Sequence, residues 1–246
     1  MFQIIKKTNS CEINPLVWLY TPFLLFFSLF FFKEINIDFF ILFFQGEKGL
    51  IENLTFFFLF VSIIITFSVI KKVKNFVSKK VYYFFVLFLL GLVYFSGEEI
   101  SWGQNWFNWE TNNFFSNIND QSETNFHNVS SWLDQKPRNV LICFILFAGI
   151  FSPFFLQNRK KFFKHSGVKD FILPTVCCLP TSIMCVFFYL LDKVSQILCS
   201  GTGATLSCEY FPKILFFRTS EIVELYISLF LLIYILSINL RLKFSI

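Results

Sequence analysis

Six long apolar stretches constrain this chain more than any other feature of its sequence. A helix that crosses a lipid bilayer needs about 20 mainly apolar residues, and six stretches reach or approach that length. They cover residues 15–32, 54–70, 81–96, 140–156, 171–191 and 222–240. The sequence therefore predicts an all-α integral membrane protein, a single domain over residues 1–246 with six transmembrane helices. The apolar stretch 35–44 is short and contains Asp38, so we expect an interfacial or re-entrant segment there.

Composition agrees with a membrane protein. The chain is 55% hydrophobic and 15% charged, whereas soluble domains are about 45–50% apolar and about 25% charged. The net charge of +5 comes from lysines and arginines that lie beside the apolar stretches. This placement indicates membrane orientation and argues against a nucleic-acid partner, so the expected partner is the lipid bilayer.

The orientation follows from the excess of basic residues that cytoplasmic loops carry. If the N-terminus is cytoplasmic, 14 of the 21 lysines and arginines lie inside and 14 of the 16 acids lie outside. Both termini are therefore predicted to be cytoplasmic. Lys6 and Lys7 resemble the start of a signal peptide, but no small-residue cleavage site follows, so we expect a retained signal-anchor.

Cys199 and Cys208 share one predicted outer loop, and the segment between them contains two glycines. Cysteine pairs of this kind form disulfides in oxidising compartments. The sequence predicts a disulfide here, and the alternative is two free or buried thiols.

The main outer loop, residues 97–139, begins with the sequence GEEISWGQNWFNWE. Trp102, Trp106 and Trp109 recur at the spacing of one helical face. Because tryptophan prefers the membrane–water interface, we expect an interfacial helix whose indoles face the acyl chains. Beyond membrane anchoring, such a face can also serve as a platform that binds lipid headgroups.

Two adjacent acids, Glu98 and Glu99, stand where the third apolar stretch ends. If the helix continues through them, Glu98 shares a face with Ser101 and Trp102, and Glu99 points about 100° away. An acid that turns into the helix bundle must be paired, protonated or bound to a metal. The alternative is that water solvates both carboxylates at the interface.

Glu123 and His127 are separated by one helical turn in the most polar part of the loop. Carboxylate and imidazole ligands suit zinc, iron or manganese, and the same pair can act as an oriented general base. Alternation in this run also fits an extended segment with one polar edge, formed by Asn119, Gln121, Glu123, Asn125 and His127. The plainer alternative for His127 is an exposed histidine.

A third acidic group, Glu221 and Glu224, opens the sixth apolar stretch. Glu221 suits the first turn of a helix that Ser220 caps. Glu224 lies deeper and is a candidate third metal ligand beside Glu123 and His127. Arg218 is a counter-ion for these acids or a clamp for a phosphate.

These groups predict a site rich in carboxylates that opens toward the outer leaflet. The first hypothesis is a membrane enzyme, with or without a metal ion at its site, acting on a lipid or lipid-linked substrate. Its catalytic residues would be Glu98, Glu99, Glu123 and His127. Its substrate-binding residues would be Trp102, Gln104, Gln121, Asn125 and Arg218. The second hypothesis is a small transporter or an accessory subunit, in which the polar cluster locks the helices together.

The EEISWGQ segment at 98–104, followed by Asn-x-Gln-x-Glu-x-Asn-x-His-Asn at 119–128, resembles a group of bacterial multi-pass membrane proteins that carry both segments. The resemblance implies a bacterial inner-membrane protein with a specific site around this loop, and it adds Ser101 and Asn128 to the candidate residues. Members tend to carry an arginine soon after the glutamine, where this chain has Asn105 and Asn108. Close membership in the alkaline ceramidase type of hydrolase is excluded, because those enzymes need several histidines.

Overall fold

The computed structural model describes residues 12–46, 48–76, 78–118, 124–126, 129, 131–153, 171–200 and 218–245. This part of the chain is helical and contains no strand. Five helices within it are long and apolar enough to cross a membrane: Leu16–Ile35, Leu50–Lys74, Lys79–Glu99, Val176–Ile197 and Thr219–Lys243. An all-helical protein with several candidate membrane spans, as the sequence predicts, is therefore confirmed.

The helices are numbered here in chain order. A π-helical turn, Leu16–Tyr20, leads into α1 (Thr21–Ile35), and α2 (Ile37–Phe44), α3 (Leu50–Phe76) and α4 (Lys79–Glu99) follow. A 3₁₀ turn at Ser101–Gly103 precedes α5 (Gln104–Phe107), α6 (Asn113–Ile118) and α7 (Ser131–Phe144), which continues as a π-helix over Ile145–Phe151. A second 3₁₀ turn, Val176–Cys178, starts α8 (Leu179–Ser200), and the last helix is α9 (Thr219–Ser245).

Helix α9 is the centre of the bundle. Most of it is buried inside the protein, whereas fewer than half of the residues in each other candidate span are buried. Its buried aromatic residues include Tyr226 and Tyr234, whose hydroxyls donate to the carbonyls of Pro22 at 2.8 Å and Ile172 at 2.6 Å. These bonds satisfy the polar ends of side chains that are otherwise apolar. These two hydrogen bonds connect α1 and the segment before α8 to α9.

Hydroxyl side chains on α3 are buried but are satisfied within their own helix. Thr55, Ser62 and Thr66 each donate to the carbonyl four residues earlier, at 2.7 to 3.0 Å. This back-bonding is the usual way in which a hydroxyl lies inside an apolar helix bundle. These hydroxyl groups therefore lie where helices pack closely, and they do not form an open polar path through the bundle.

One predicted span differs from the structure, and another stays a prediction. The stretch 140–156 is helical in its described part, which ends at residue 153, and it is not among the five long apolar helices of the described residues, so this span stays a prediction. The stretch 171–191 is interrupted, because its continuous helix begins only at Val176. Pro174 disfavours helical backbone at the residue before it, and Thr175 is extended.

The continuous tryptophan-rich helix predicted after the third span is wrong. α5 spans four residues, and its flanking residues Gly103 and Asn108 are left-handed, with φ of 100° and 52°. Trp102 precedes α5 and Trp109 follows it, so the three indoles do not share one helical face. Within the short segment 35–44, Ile35 ends α1 and residues 37–44 form the separate helix α2, whose N-cap Asn36 accepts a hydrogen bond from the Phe39 amide at 2.9 Å. Its interfacial or re-entrant position stays a prediction.

Candidate functional site

The chain reverses sharply at the end of α4. Ser101, Trp102 and Gly103 are consecutive residues with positive φ, at 46°, 55° and 100°. Such angles are costly for residues other than glycine and persist where surrounding contacts enforce them. The reversal folds the Trp102 indole back onto Gly97, where an added Cβ would lie 2.8–2.9 Å from the ring. Gly97 therefore provides the flat surface on which this indole lies.

Glu98 is the acid that faces inward. Its side chain is buried, and its two oxygens accept hydrogen bonds from the Trp102 Nε1 at 2.8 Å and from the backbone amide of Phe126 at 2.7 Å. The contact between Glu98 and Trp102 that their spacing predicts is confirmed. Glu98 joins Trp102 and the segment at Phe126 to the end of α4, and this role accounts for a carboxylate at such a position.

Three further hydrogen bonds hold the same loop. The Asn125 side-chain amide donates to the Ser101 hydroxyl at 2.9 Å, and both residues are buried. Gln104 accepts from the Thr124 backbone amide at 2.7 Å and donates to the Thr111 hydroxyl at 2.6 Å.

We call the set formed by Glu98, Ser101, Trp102, Gln104 and Asn125 the loop clasp. The side chains of Trp102, Gln104 and Asn125, which the sequence nominates for substrate binding, thus bind other parts of the protein.

Glu99 points to a different group of residues. It is half-buried and lies within electrostatic range of Glu52, Glu221, Glu224 and Arg138. Glu52 lies in the first turn of α3, and Glu221 and Glu224 lie at the start of α9. We call Glu52, Glu99, Glu221 and Glu224 the carboxylate cluster. Helices that are distant in sequence bring these acids to one end of the bundle.

Two arginines lie against this cluster. Arg138 of α7 forms a 2.6 Å ion pair with Glu224, and both side chains are mostly buried. Arg218 pairs with Glu221 at 3.0 Å, which confirms the predicted counter-ion, and the Gly46 amide donates to the same carboxylate at 3.2 Å. The sequence does not nominate Arg138 as a site residue, because it lies within the predicted outer loop. Its position just before an apolar stretch is the feature of the sequence that indicates a location beside the membrane span.

The predicted metal site receives no support from the described residues. Among them, no three or more histidine, cysteine, aspartate or glutamate side chains are arranged to hold a metal ion. Glu224, the candidate third ligand, is paired with Arg138. Gln121, Glu123, His127 and Asn128 lie outside the described residues, so their roles stay predictions.

The predicted disulfide also falls outside what the structure describes. Cys208 is not described, and Cys199 is described only as part of the backbone of α8. Its side chain therefore supports neither a disulfide nor a free thiol, and the pairing stays a prediction.

A second buried charge pair lies at the other end of the bundle. Arg241 of α9 approaches Glu12 at 3.5 Å and donates to the Leu173 carbonyl at 3.1 Å. Arg241 is 20 residues beyond Glu221 in α9, which places it about 30 Å along the helix axis. The first and last described segments therefore meet at the end opposite the carboxylate cluster. The cytoplasmic location of both termini stays a prediction.

The two groups at the carboxylate end differ in their chemistry. The loop clasp pairs a buried carboxylate with two N–H donors. The carboxylate cluster brings four acids together with two guanidinium groups.

Comparison with known proteins adds no assignment, since no family model, no curated protein and no solved structure matches this chain.

Proposed function

We propose that this protein is an integral membrane enzyme in which Glu99 carries out acid–base chemistry on a lipid or lipid-linked substrate. The observation that carries the proposal is the gathering of acids around Glu99, where, among the residues that the structure describes, Glu52, Glu221 and Glu224 lie near it together with the guanidinium groups of Arg138 and Arg218. Acids gathered in a half-buried position favour a bound proton or a cationic group. A carboxyl group that exchanges a proton with its surroundings is the basis of general acid–base catalysis.

In this proposal the neighbouring acids Glu98 and Glu99 have different roles, one in positioning and one in acid–base chemistry. Both oxygens of Glu98 accept hydrogen bonds from the loop, so Glu98 positions the segment around the site. Glu99 faces the cluster instead and is the candidate acid or base. The segment pinned by Glu98 is flanked in sequence by Glu123 and His127, and these two residues remain candidates for a second catalytic group.

The substrate class follows from depth and charge. The cluster lies where α4 ends and α9 begins, which is where headgroups meet a membrane span. Arg218 is more than half exposed while it pairs with Glu221, so its guanidinium group can also bind an anionic headgroup. An amphiphile whose polar group reaches the cluster from the lipid phase fits this arrangement.

The test is a turnover screen in proteoliposomes. Wild-type protein, Glu99→Gln and Glu110→Gln are incubated with phospholipids and polyprenyl phosphates, and products are identified by mass spectrometry. We expect turnover of one lipid class by wild type and by the exposed-acid control Glu110→Gln, and its loss in Glu99→Gln without a change in melting temperature. Absence of turnover with every lipid class, together with a lower melting temperature of Glu99→Gln, would contradict the proposal.

A second candidate function is structural, because polar contacts at this end join separate elements. Arg138 and Glu224 link α7 to α9, and the Gly46 amide links the segment after α2 to α9. In that case the cluster locks the helices of a non-enzymatic membrane protein. The turnover assay above separates the two candidates, since only the enzyme predicts a lipid product that Glu99→Gln fails to form.

The metal-dependent form of the enzyme is tested separately. Elemental analysis compares detergent-purified wild type with His127→Ala. Near-stoichiometric zinc, iron or manganese in wild type alone supports a metal at His127, and equal low contents in both samples exclude it.

A further inference from the structure

The described part of the loop that follows α4 buries the polar side chains of Ser101 and Asn125 and exposes several large apolar side chains, although Asn108, Glu110 and Asn112 are also exposed. Ser101 and Asn125 are almost fully buried and bind each other. Large apolar side chains of the same loop are exposed: Trp106, Phe107, Trp109, Phe114, Ile118 and Phe126. A loop surrounded by water normally has the reverse arrangement, and a large exposed apolar patch marks a contact with protein or membrane. This loop is therefore built for apolar surroundings.

The aromatic side chains of this loop form two groups of ring contacts. Phe107 stacks on Trp109 with ring centres 6.0 Å apart, and Phe115 meets Phe114 at 5.5 Å and Phe126 at 5.3 Å. The first group joins α5 to the residues after it, and the second joins α6 to the segment that the loop clasp holds. We call the six exposed residues listed above the loop face.

The loop face is continuous with the lipid-facing surface of α3. The Trp106 ring meets Phe56 of α3 edge-on at 4.6 Å, and its Nε1 donates to Asn53 at 3.1 Å. Below this contact α3 exposes a series of apolar side chains along its length: Phe57, Phe60, Ile64 and Phe67. Because α3 is long and apolar enough to span a membrane, the same lipid that covers its exposed side reaches the loop face.

We propose that the loop face is embedded in the lipid leaflet, at the boundary between headgroups and acyl chains, and that lipid is its partner. Tryptophans at 102, 106 and 109 suit that depth. The proposal also explains the loop clasp, since polar groups in a layer poor in water must find partners inside the protein. It stands apart from the proposed catalysis, because it concerns what covers the loop and not what Glu99 does.

The first test is photocrosslinking in phosphatidylcholine vesicles. A photoreactive benzoylphenylalanine replaces Phe107 or Phe114 in the full chain, and Phe67 of α3 serves as the lipid-facing control. We expect lipid adducts at both loop positions in yields comparable to those at Phe67. Crosslinks to a second copy of the chain, or no lipid adducts at positions where Phe67 gives them, would overturn the proposal.

A second measurement avoids any bulky replacement. Tryptophan fluorescence of wild type and Trp109→Phe is compared in vesicles of brominated phosphatidylcholine and with aqueous iodide. If Trp109 lies in lipid, the variant loses part of the bromine-quenched emission and none of the iodide-quenched emission. The opposite pattern would show that water covers the loop and would overturn the proposal even if every variant folds.

Discussion

Glu98 and Trp102 fix each other at the end of α4. The indole Nε1 donates a 2.8 Å hydrogen bond to the Glu98 carboxylate, and the indole ring lies on Gly97. The second oxygen of Glu98 holds the Phe126 amide at 2.7 Å. One buried carboxylate thus determines the path of the loop that follows the span, and substitutions at Glu98 and Gly97 test these contacts.

Replacing Glu98 by glutamine should destabilise the protein. A glutamine side chain has one acceptor oxygen, so its NH₂ group would face either the indole N–H or the Phe126 amide. Leaving one buried donor unsatisfied costs about 1–3 kcal/mol. Thermal unfolding of purified protein measures the loss, with the exposed Glu110→Gln as the control, which should change little. Equal stability of the two variants would mean that the Glu98 bonds contribute nothing to folding.

Replacing Gly97 by alanine should displace the Trp102 indole. The new Cβ would lie 2.8–2.9 Å from the ring, and overpacking of this kind costs about 1–3 kcal/mol. Gly91 lies in the same helix with nothing within 4 Å of an added Cβ, so Gly91→Ala should be neutral or stabilising, by up to about 1 kcal/mol. Melting temperature and tryptophan emission measure both effects. A Gly97→Ala protein that behaves like Gly91→Ala would refute the ring contact.

The ion pair between Arg138 and Glu224 should appear as coupling in a double-mutant cycle. Arg138→Met and Glu224→Gln each remove one partner from a mostly buried pair, and we expect each to cost about 1–3 kcal/mol. The double variant should cost less than the sum of the singles, by about 1 kcal/mol or more. Chemical unfolding measures the cycle, and the exposed Lys136→Met in the same helix is the control. Strictly additive effects would show that the two residues do not interact.

Gly149 should tolerate no side chain. It lies in the π-helix after α7, where an added Cβ would overlap the Ser182 hydroxyl of α8 and contact Phe230 of α9. Gly149→Ala should therefore destabilise the bundle by about 1–3 kcal/mol, measured by thermal unfolding against Gly91→Ala. Adding Ser182→Gly should recover part of the loss, because it removes the atom that the new methyl group meets. No recovery in the double variant would place the cause elsewhere.

Closeness in sequence leads to two of the expected contacts, but not through a continuous helix. Glu98 meets Trp102 although α4 ends at Glu99, because the positive φ of Ser101 and Trp102 folds the indole back, and Arg218 meets Glu221 from the residue before α9. The helical face expected for Trp102, Trp106 and Trp109 does not form, because left-handed residues at Gly103 and Asn108 bound α5. Helical periodicity assumes unbroken backbone, and nothing in the spacing of the tryptophans reveals where the backbone changes hand.

The sequence by itself determined that this chain forms long apolar helices, because length and hydropathy alone decide which segments can span a bilayer. It did not reveal that α9 is the buried central helix, since protein and lipid are equally apolar surroundings and leave the same composition on a helix. It also left open which of Glu98 and Glu99 faces inward, and which partner Glu224 takes. Tertiary structure decided both, because Phe126 and Arg138 reach these acids from segments distant in sequence.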